Sequence, residues 1–343
     1  MMTSKPDKLL SNRRNNATHR LRLFKLLILV VLLAIVFLAS NMYGAVDVSA
    51  RDIFRIIFLH EDTGIYTTII RDVRLPRNIL ACMVGTSLAL SGAIMQGMMR
   101  NPMASPSVLG VTSGASVTTY IMYIFFPAAS TLIPMGAFLG ALATTFLIFI
   151  FAWKGGLNPV RFILSGVALS AILGAINNIL TIRYPDALQG MAGFMVGGLN
   201  SRSWPHVQMI LPYFIIGVTL ALFYANKLNV LLLGDELAVG LGVNVDRTRI
   251  ALIAVSSLLA GSAVSVAGMV SFIGMCVPHI IRMYIGSDYR YLIPAAALGG
   301  AITLTLCDTL GRVIFRPSEI HVGIILALLG APFFLWMLRE REV

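Results

Sequence analysis

Charged residues are scarce in this chain. Asp, Glu, Lys and Arg make up 12% of its 343 residues, whereas hydrophobic residues make up 57%. A soluble domain carries about 25% charged residues, because its surface must face water. The composition therefore excludes an ordinary soluble protein and predicts an all-α chain that crosses a lipid bilayer several times.

Cysteine is also scarce, and the common catalytic motifs are missing. Cys82, Cys276 and Cys307 fall inside apolar runs without paired spacing, which is typical of packing residues. The chain has no G-x-x-x-x-G-K-[ST] phosphate loop, no HExxH, no nucleophile elbow and no CxxC. We therefore predict neither an enzyme nor a cofactor or metal site. Any energy that the protein uses should come from a partner or an ion gradient.

Long apolar runs with little charge are what the chain does contain, and a bilayer span needs about 20 such residues. The eighth run is the weakest of ten. We predict about ten transmembrane helices, at residues 23–43, 78–98, 106–126, 134–153, 161–181, 206–226, 250–270, 272–286, 292–310 and 320–338.

The basic residues set the predicted orientation. The net charge is +11, and a basic arm, residues 1–22, precedes a single membrane domain, residues 23–343. With this arm in the cytoplasm, ten alternating spans leave most Lys and Arg residues inside, in agreement with the positive-inside rule. We expect both termini to be cytoplasmic, in a multi-pass protein of the cell (inner or cytoplasmic) membrane. The basic residues should contact lipid headgroups and not nucleic acid.

The predicted inner loop after the sixth span contains a candidate contact site. Asp235 and Glu236 suit the first turn of a short helix, and Gly240 and Gly242 suit its end. This helix would present the small residues Ala238 and Gly240 on one side and would fit a cleft of another protein. An ordinary amphipathic connector is the alternative.

Arginine is the only basic residue on the predicted outer side. The planar guanidinium group of arginine can bind a carboxylate through two parallel hydrogen bonds. This property suits a surface that binds acidic side chains of a partner. Arg74 and Arg77 flank Pro76 at the start of the second span, and Arg312 follows the ninth. Asp308, four residues before Arg312, should pair with it. Anchoring in lipid headgroups is the alternative role of the arginines.

Small residues in the second span indicate close helix packing, because lipid provides no hydrophobic drive for association. A pattern of glycine and proline also recurs later in the chain at one constant spacing: Gly85, Gly92, Pro102 and Gly110 correspond to Gly261, Gly268, Pro278 and Gly286. This recurrence predicts an inverted repeat. Candidates for lining a pathway or for packing are Gly85, Gly92, Met95, Gln96, Met99, Asn101 and Pro102.

Residues 74–115 resemble the signature of the iron-siderophore and cobalamin ABC-transporter permeases of the FecCD type, with RLPR, SGAIMQ and RNPMASP. The likeness continues in GDELAVGLG from Gly234 and in FIGMCVPHIIRMYIGSDYR from Phe272. It ends with CDTLGR from Cys307 and with EIHVGIILALLGAPFFLW. The resemblance covers about residues 25–340, and its four motifs occur in the right order.

The resemblance implies a ten-helix importer subunit with several partners. These are a second permease copy, in a homodimer or a heterodimer, two cytoplasmic ATPase subunits, and an extracytoplasmic binding protein that delivers a ferric siderophore. Arg74, Arg77 and Arg312 look like the arginines that receive acidic residues of the binding protein. The segment near 234–242 looks like the coupling helix that enters the ATPase cleft, with the residues Asp235, Glu236, Leu237, Ala238, Gly240 and Gly242.

Two positions depart from the family pattern, and three alternatives stay open. His321 stands where the family usually has Pro, and Met103 stands where Leu is common. Haem or cobalamin is an alternative cargo. A secondary transporter driven by ions would need ionisable residues near the midplane, and the spans show almost none apart from Asp308. A permease for a small metal cation would need acidic or imidazole ligands in its pathway.

Overall fold

The computed structural model describes residues 5–44, 46–62, 64–106, 110–154, 156 and 158–339, and these are largely helical, with no strand among them. The connections include a π-helical turn, Ile69–Arg74, and a 3₁₀ turn, Pro127–Leu132. The α-helices are α1 (Lys5–Met42), α2 (Ala50–Phe58), α3 (Ile65–Thr68), α4 (Leu75–Met99), α5 (Val111–Phe125), α6 (Ile133–Ala152), α7 (Pro159–Arg183), α8 (Pro185–Val196), α9 (Trp204–Leu232), α10 (Asp235–Gly240), α11 (Val245–Ala267), α12 (Ile273–Ile285), α13 (Tyr289–Val313) and α14 (Val322–Arg339).

The predicted spans coincide with helices α1, α4, α5, α6, α7, α9, α11, α12, α13 and α14. The prediction of an all-α, polytopic membrane protein is confirmed. Within the described ranges, 7 helical segments are long and apolar enough to cross a membrane. α12, the eighth predicted span, has 13 residues and is about 20 Å long, less than the hydrocarbon layer of about 30 Å. The cytoplasmic location of both termini stays a prediction.

α4 lies at the centre of the bundle and packs against α9, α11, α12 and α13. Nearly all of its residues are buried. A Cβ atom on Gly85 would lie 2.2 Å from the carbonyl oxygen of Gly300, and one on Gly92 would lie 1.7 Å from that of Gly274. These two crossings therefore accept only glycine and bring the backbone of α4 against α13 and α12.

The two halves of the bundle share an arrangement of helix ends. α4 and α11 are each followed by a residue with positive φ, Arg100 at 50° and Gly268 at 71°; α5 and α12 each follow another, Gly110 at 80° and Phe272 at 69°. α4 packs along α13 of the second half, and α11 packs along α6 of the first. α4 and α11 are antiparallel, because the end of one and the start of the other meet at Asp235. This arrangement supports an inverted repeat.

The register that the glycines indicate for this repeat is wrong. Gly92 lies inside α4, but its counterpart Gly268 caps the end of α11. Pro102 lies in the turn after α4, whereas Pro278 lies inside α12. Gly85 and Gly92 mark close helix contacts, whereas Gly110, Gly268 and Gly286 have positive φ beside helix ends, so the glycines do not mark equivalent positions. The corresponding helix ends are Arg100 and Gly268.

Three connections between the predicted spans contain short helices. α2 lies in the first predicted outer loop, where Ser49 caps it by accepting a hydrogen bond from the backbone amide of Asp52. α8 occupies much of the second outer loop, and α10 lies in the inner loop. The apolar runs that define spans miss these elements, because short helices at the ends of a bundle are amphipathic or capped and not uniformly apolar.

Candidate functional sites at the two ends of the bundle

A buried ion-pair network lies where α4 begins and α13 ends. The side chain of Asp308 is 1% exposed and accepts hydrogen bonds from Nε and Nη2 of Arg77 at 3.0 and 2.9 Å. Arg312, one turn later on α13, places its Nε 3.2 Å from Oδ2 of Asp308. The pairing of Asp308 with Arg312 is as the sequence predicts, and Arg77 joins from another helix. One carboxylate therefore neutralises charge from two guanidinium groups.

The other donors of these two arginines also bind groups of the same chain. Arg77 donates from Nη1 to Glu319 at 2.8 Å. Arg312 donates from Nη2 to the hydroxyl of Ser40 at 2.7 Å and to the side-chain oxygen of Asn78 at 3.2 Å. The network thus connects α1, α4 and α13 with the segment before α14.

Arg74 completes the end of α1. It donates from Nη1 to the carbonyl oxygens of Asn41 at 2.7 Å and Met42 at 3.1 Å, and from Nη2 to that of Val46. The last carbonyl groups of a helix have no partner inside the helix, and a guanidinium group can satisfy several of them. A Cβ atom on Gly44 would lie 2.6 Å from Nη2, so the loop closes tightly around this side chain.

The three arginines predicted to receive a binding protein are buried in this structure. Arg74 and Arg77 are 5% exposed and Arg312 is 3% exposed. An acidic residue of a partner would have to displace Asp308 or Glu319 in order to reach Arg77 or Arg312. The docking role stays a prediction. The contacts themselves show that the arginines hold helix ends together.

The opposite end of α4, about 37 Å away along 25 residues, carries the second candidate site. α10 begins at Asp235 with Glu236 beside it, which confirms the predicted short helix. Asp235 accepts a hydrogen bond from Arg100 at 2.6 Å and two from Arg249 at 2.9 and 3.0 Å. Arg100 follows the last residue of α4, and Arg249 lies on α11. One carboxylate therefore ties α10 to both helices.

The exposed side of α10 differs from the expectation. Ala238 is 0% exposed and faces the bundle, whereas Leu237, Val239 and Leu241 are 60%, 63% and 63% exposed. The ion pairs of Asp235 fix how the helix is rotated, so that its small residue faces inward. The outer surface of α10 therefore consists mainly of large apolar side chains, and of the two predicted small residues only Gly240 is exposed.

The other predicted residues of this site surround the apolar surface. Glu236 is exposed. A Cβ atom on Gly240 or on Gly242 would meet no atom within 4 Å, and Gly242 has a φ of 80°, which an L side chain rarely adopts. Gly242 thus allows the turn after the helix, and Gly240 keeps the surface beside it open.

Of the candidate pathway residues near the end of α4, Met95, Gln96 and Met99 are buried, whereas Asn101 and Pro102 are partly buried. Met95 and Met99 are 1% and 7% exposed and belong to the main hydrophobic core. Gln96 donates to a backbone carbonyl of α12 at 3.0 Å. Asn101 accepts a hydrogen bond at 2.9 Å from the amide two residues later, across Pro102. These contacts fit packing and turn formation.

A polar cavity of about 370 Å³ lies beside the ion-pair network, and the sequence interpretation missed it. Arg77 reaches its edge by donating to the side-chain oxygen of Asn200 at 3.2 Å. Arg202 and His206 are close in the sequence at the start of α9, and Nη1 of Arg202 lies 3.3 Å from Nε2 of His206. The polar side chains of the cavity are those of Tyr123, Thr131, Asn200, Ser201, Arg202, His206, Ser265 and His321.

The cavity contains a buried guanidinium group and an imidazole ring. Burial lowers the pKa of the Arg202 guanidinium group below its ordinary value. His321, which departs from the family pattern, lies over Gly198, where a Cβ atom would be 2.8 Å from its ring. In the part of the chain that the structure describes, no three His, Cys, Asp or Glu side chains are grouped to hold a metal ion.

Comparison with known proteins relates this chain to membrane permeases of import systems. The profile of the FecCD transport family matches residues 32–340. The iron(3+)-hydroxamate import system permease protein FhuB of Bacillus subtilis is 40% identical over 303 residues, which are 87% of this chain and 78% of that protein. The hemin transport system permease protein HmuU of Yersinia pestis is 41% identical over 334 residues, 94% of this chain and 97% of that protein.

A solved structure agrees with these sequence relatives. A metal-chelate type ABC transporter in an inward-facing conformation superposes with a TM-score of 0.82 at 29% identity, over 92% of this chain and 98% of that one. The helix order, the helical bundle and the sequence match therefore lead to one conclusion: this chain belongs to the FecCD transport family, the multi-pass membrane permeases of ABC importers.

Proposed function

We propose that this chain forms half of the membrane channel of an ATP-driven importer of ferric siderophores. The cargo class is supported by the Bacillus subtilis relative, whose name specifies iron(3+)-hydroxamate import. Iron inside a chelate needs no ligands from the protein, so the pathway can be built from apolar and Met-bearing helices. In this proposal the chain consists of a basic arm, residues 1–22, and one permease domain, residues 23–343.

The exposed surface of α10 is the observation that supports an ATPase partner. Leu237, Val239 and Leu241 are each at least 60% exposed, although charged residues such as Glu236 and Arg247 place this end at the membrane surface. Contiguous apolar side chains at such a position mark a contact with another protein. In the proposed topology this end is cytoplasmic, and α10 enters a cleft of the ATPase.

The ion pairs of Asp235 suggest how ATPase closure reaches the channel. Asp235 binds Arg100 at the end of α4 and Arg249 on α11. These helices begin the two halves of the inverted repeat. A displacement of α10 would therefore act on both halves together, as alternating access by rocking of two halves requires.

α7 supplies a surface for the second permease subunit. Of its 25 residues, only Phe162 and Gly166 are buried. Asn178, in the second half of the helix, is exposed, and an amide that faces lipid would lack hydrogen bonds. We propose that this side of α7 faces the second subunit and the pathway between the two. A homodimer and a heterodimer both fit this surface.

The end with the Asp308 network would face outward and meet the binding protein. Arg74, Arg77 and Arg312 would then act from beneath that surface, by holding α1, α4 and α13 in the positions that the partner recognises. Glu319, whose side chain is 30% exposed, is the member of the network nearest to solvent. For the binding protein to dock on these arginines, one of its acidic side chains would have to replace Glu319 as the partner of Arg77.

Reconstitution tests the proposed function directly. The chain is purified with its ATPase, its second permease subunit and its binding protein, and is placed in lipid vesicles. We expect uptake of a ferric hydroxamate that requires ATP and continues when proton and sodium gradients are collapsed. Uptake that follows a gradient without ATP would contradict the proposal.

Haem is the second candidate cargo, because the Yersinia pestis relative is named for hemin transport and is 41% identical. Cobalamin, which the family resemblance implies as a further option, belongs to the same comparison. Competition in the same vesicles separates them: excess haem or cobalamin should leave uptake of the ferric hydroxamate unchanged. Inhibition by either would move the assignment to that cargo.

A further inference from the structure

Arg202 brings a positive charge to the polar cavity between α8 and the start of α9. Its Nε donates to the carbonyl oxygen of Val266 at 2.7 Å, and its Nη1 lies 3.3 Å from Nε2 of His206. Within the described ranges, Nη2 has no hydrogen-bond partner and no acidic side chain pairs with this guanidinium group. Arg202 is thus fixed by the backbone and differs from Arg77, which has two carboxylate partners.

The rest of the cavity offers further hydrogen-bonding groups. The side chains of Tyr123, Ser201 and His321 line it, and none of the described residues that line it is acidic. Its volume of about 370 Å³ is within the range of small-ligand sites. A metal cation is disfavoured there, because the guanidinium group of Arg202 next to His206 would repel it.

We propose that this cavity binds a carboxylate group, with Arg202 as its principal partner. A guanidinium group matches a carboxylate through parallel charge-assisted hydrogen bonds, and the neighbouring hydroxyl and imidazole groups can complete the contact. The carboxylate comes either from an acidic side chain of the binding protein or from the cargo. Identification of that source rests on the proposed function, whereas the binding itself does not.

The test uses a thiol placed at the cavity wall. Ser201 is exposed and lines the cavity, so Ser201→Cys reports on ions that enter. The full-length chain in lipid nanodiscs is reacted with an anionic and with a cationic methanethiosulfonate reagent of similar size. The chain without the substitution gives the background rate from its own three cysteines, of which Cys276 and Cys307 are buried and Cys82 is partly buried.

We expect the anionic reagent to react faster, and Arg202→Gln to lower the ratio of the two rates by about tenfold, as loss of one nearby charge predicts. Arg202→Lys should keep the preference, which guards against a merely misfolded variant. Arg183→Gln is the matched control, because Arg183 is exposed at the end of α7 and stacks on Tyr184 at 5.2 Å. Equal rates for both reagents, or an equal effect of Arg183→Gln, would overturn the proposal.

Protection then tests for the carboxylate itself. At constant ionic strength, acetate should slow the reaction at residue 201 in a chain with Arg202 and leave it unchanged in Arg202→Gln, whereas neutral acetamide should have no effect. Equal effects of acetate and acetamide would overturn the proposal.

The source is resolved in the assembled transporter. Protection by ferric citrate but not by ferrioxamine B, which lacks carboxylates, assigns the site to cargo. Protection by the binding protein without cargo assigns it to an acidic side chain of that partner, and protection by none of these overturns the assignment. Failure of ATP-driven uptake in vesicles would leave the reaction rates of the isolated chain unaffected, so the two proposals fail separately.

Discussion

Replacing Asp308 by asparagine removes a negative charge that two buried guanidinium groups share. The carboxylate is 1% exposed, and the side chains of Arg77 and Arg312 are 6% and 3% exposed. Asparagine has nearly the same shape, so the substitution removes the charge and preserves the packing. Loss of one partner from a buried ion pair costs about 3 to 5 kcal/mol, because the other charge stays buried without compensation.

We expect Asp308→Asn to lower the free energy of unfolding by about 3 kcal/mol, the lower end of that range. Arg77 keeps its ion pair with Glu319 at 2.8 Å, and Arg312 keeps its hydrogen bond to Ser40 at 2.7 Å. These contacts limit the damage. Folded proteins are typically stable by about 5 to 15 kcal/mol, so the amount of folded protein should fall as well.

The assay is unfolding of the purified chain by SDS in mixed micelles, followed by circular dichroism. Asp47→Asn is the matched control, because Asp47 is 57% exposed and pairs with Arg316 at the surface. It should unfold like the unchanged chain. The double variant Asp308→Asn/Arg312→Gln should lose about 1 to 3 kcal/mol less than the sum of its single variants. Additive losses, or a loss below about 1 kcal/mol for Asp308→Asn, would refute the shared charge.

Three further predictions concern other parts of the chain. Leu237→Asp should reach the membrane normally but lose more than about tenfold in affinity for the ATPase subunit, measured by co-purification, since it places a charge in an apolar contact; unchanged affinity would remove α10 from that interface. Asn178→Cys should react with a membrane-impermeant maleimide in the assembled dimer, whereas Phe146→Cys, 63% exposed on α6, should be shielded by lipid; equal labelling would contradict the role of α7. A hydrogen bond from Arg290 is the main reason why the pKa of Asp288 is lowered from its ordinary value of 3.8 to about 2. The stability that this carboxylate contributes is therefore present above pH 3.8 and is lost as the pH falls towards 2. The free energy of unfolding, measured across that pH window, should decline less in Asp288→Ala than in the unchanged chain.

Local chemistry explains what the sequence could predict. Uniform apolar runs located the ten helices of the predicted spans, because a lipid-exposed backbone must satisfy its own hydrogen bonds. The short helix α10 was predicted from Asp235 and Glu236 at its start and from the glycines at its end. The pair of Asp308 with Arg312 followed from a spacing of four residues on one helix. Each of these features depends on neighbours within a few turns.

Features that depend on distant segments could not be predicted in the same way. Arg77 and Asp308 are 231 residues apart in sequence, and their contact exists because α4 and α13 cross at glycines. The inward position of Ala238 follows from ion pairs that fix the rotation of α10. The cavity around Arg202 is assembled from several helices and connections. A single local pattern therefore could not reveal it.

α4 joins the two candidate sites, and its packing bears on the proposed mechanism. Arg77 lies near its start, and Asp235 is bound at its end. Gly85 and Gly92 press α4 against its neighbours with no room for a methyl group, so α4 has little space to bend. A displacement of α10 would therefore move α4 together with α12 and α13 and would reach the Asp308 network at the other end. Closely packed interiors respond in this way, because they shift between discrete arrangements and do not deform continuously.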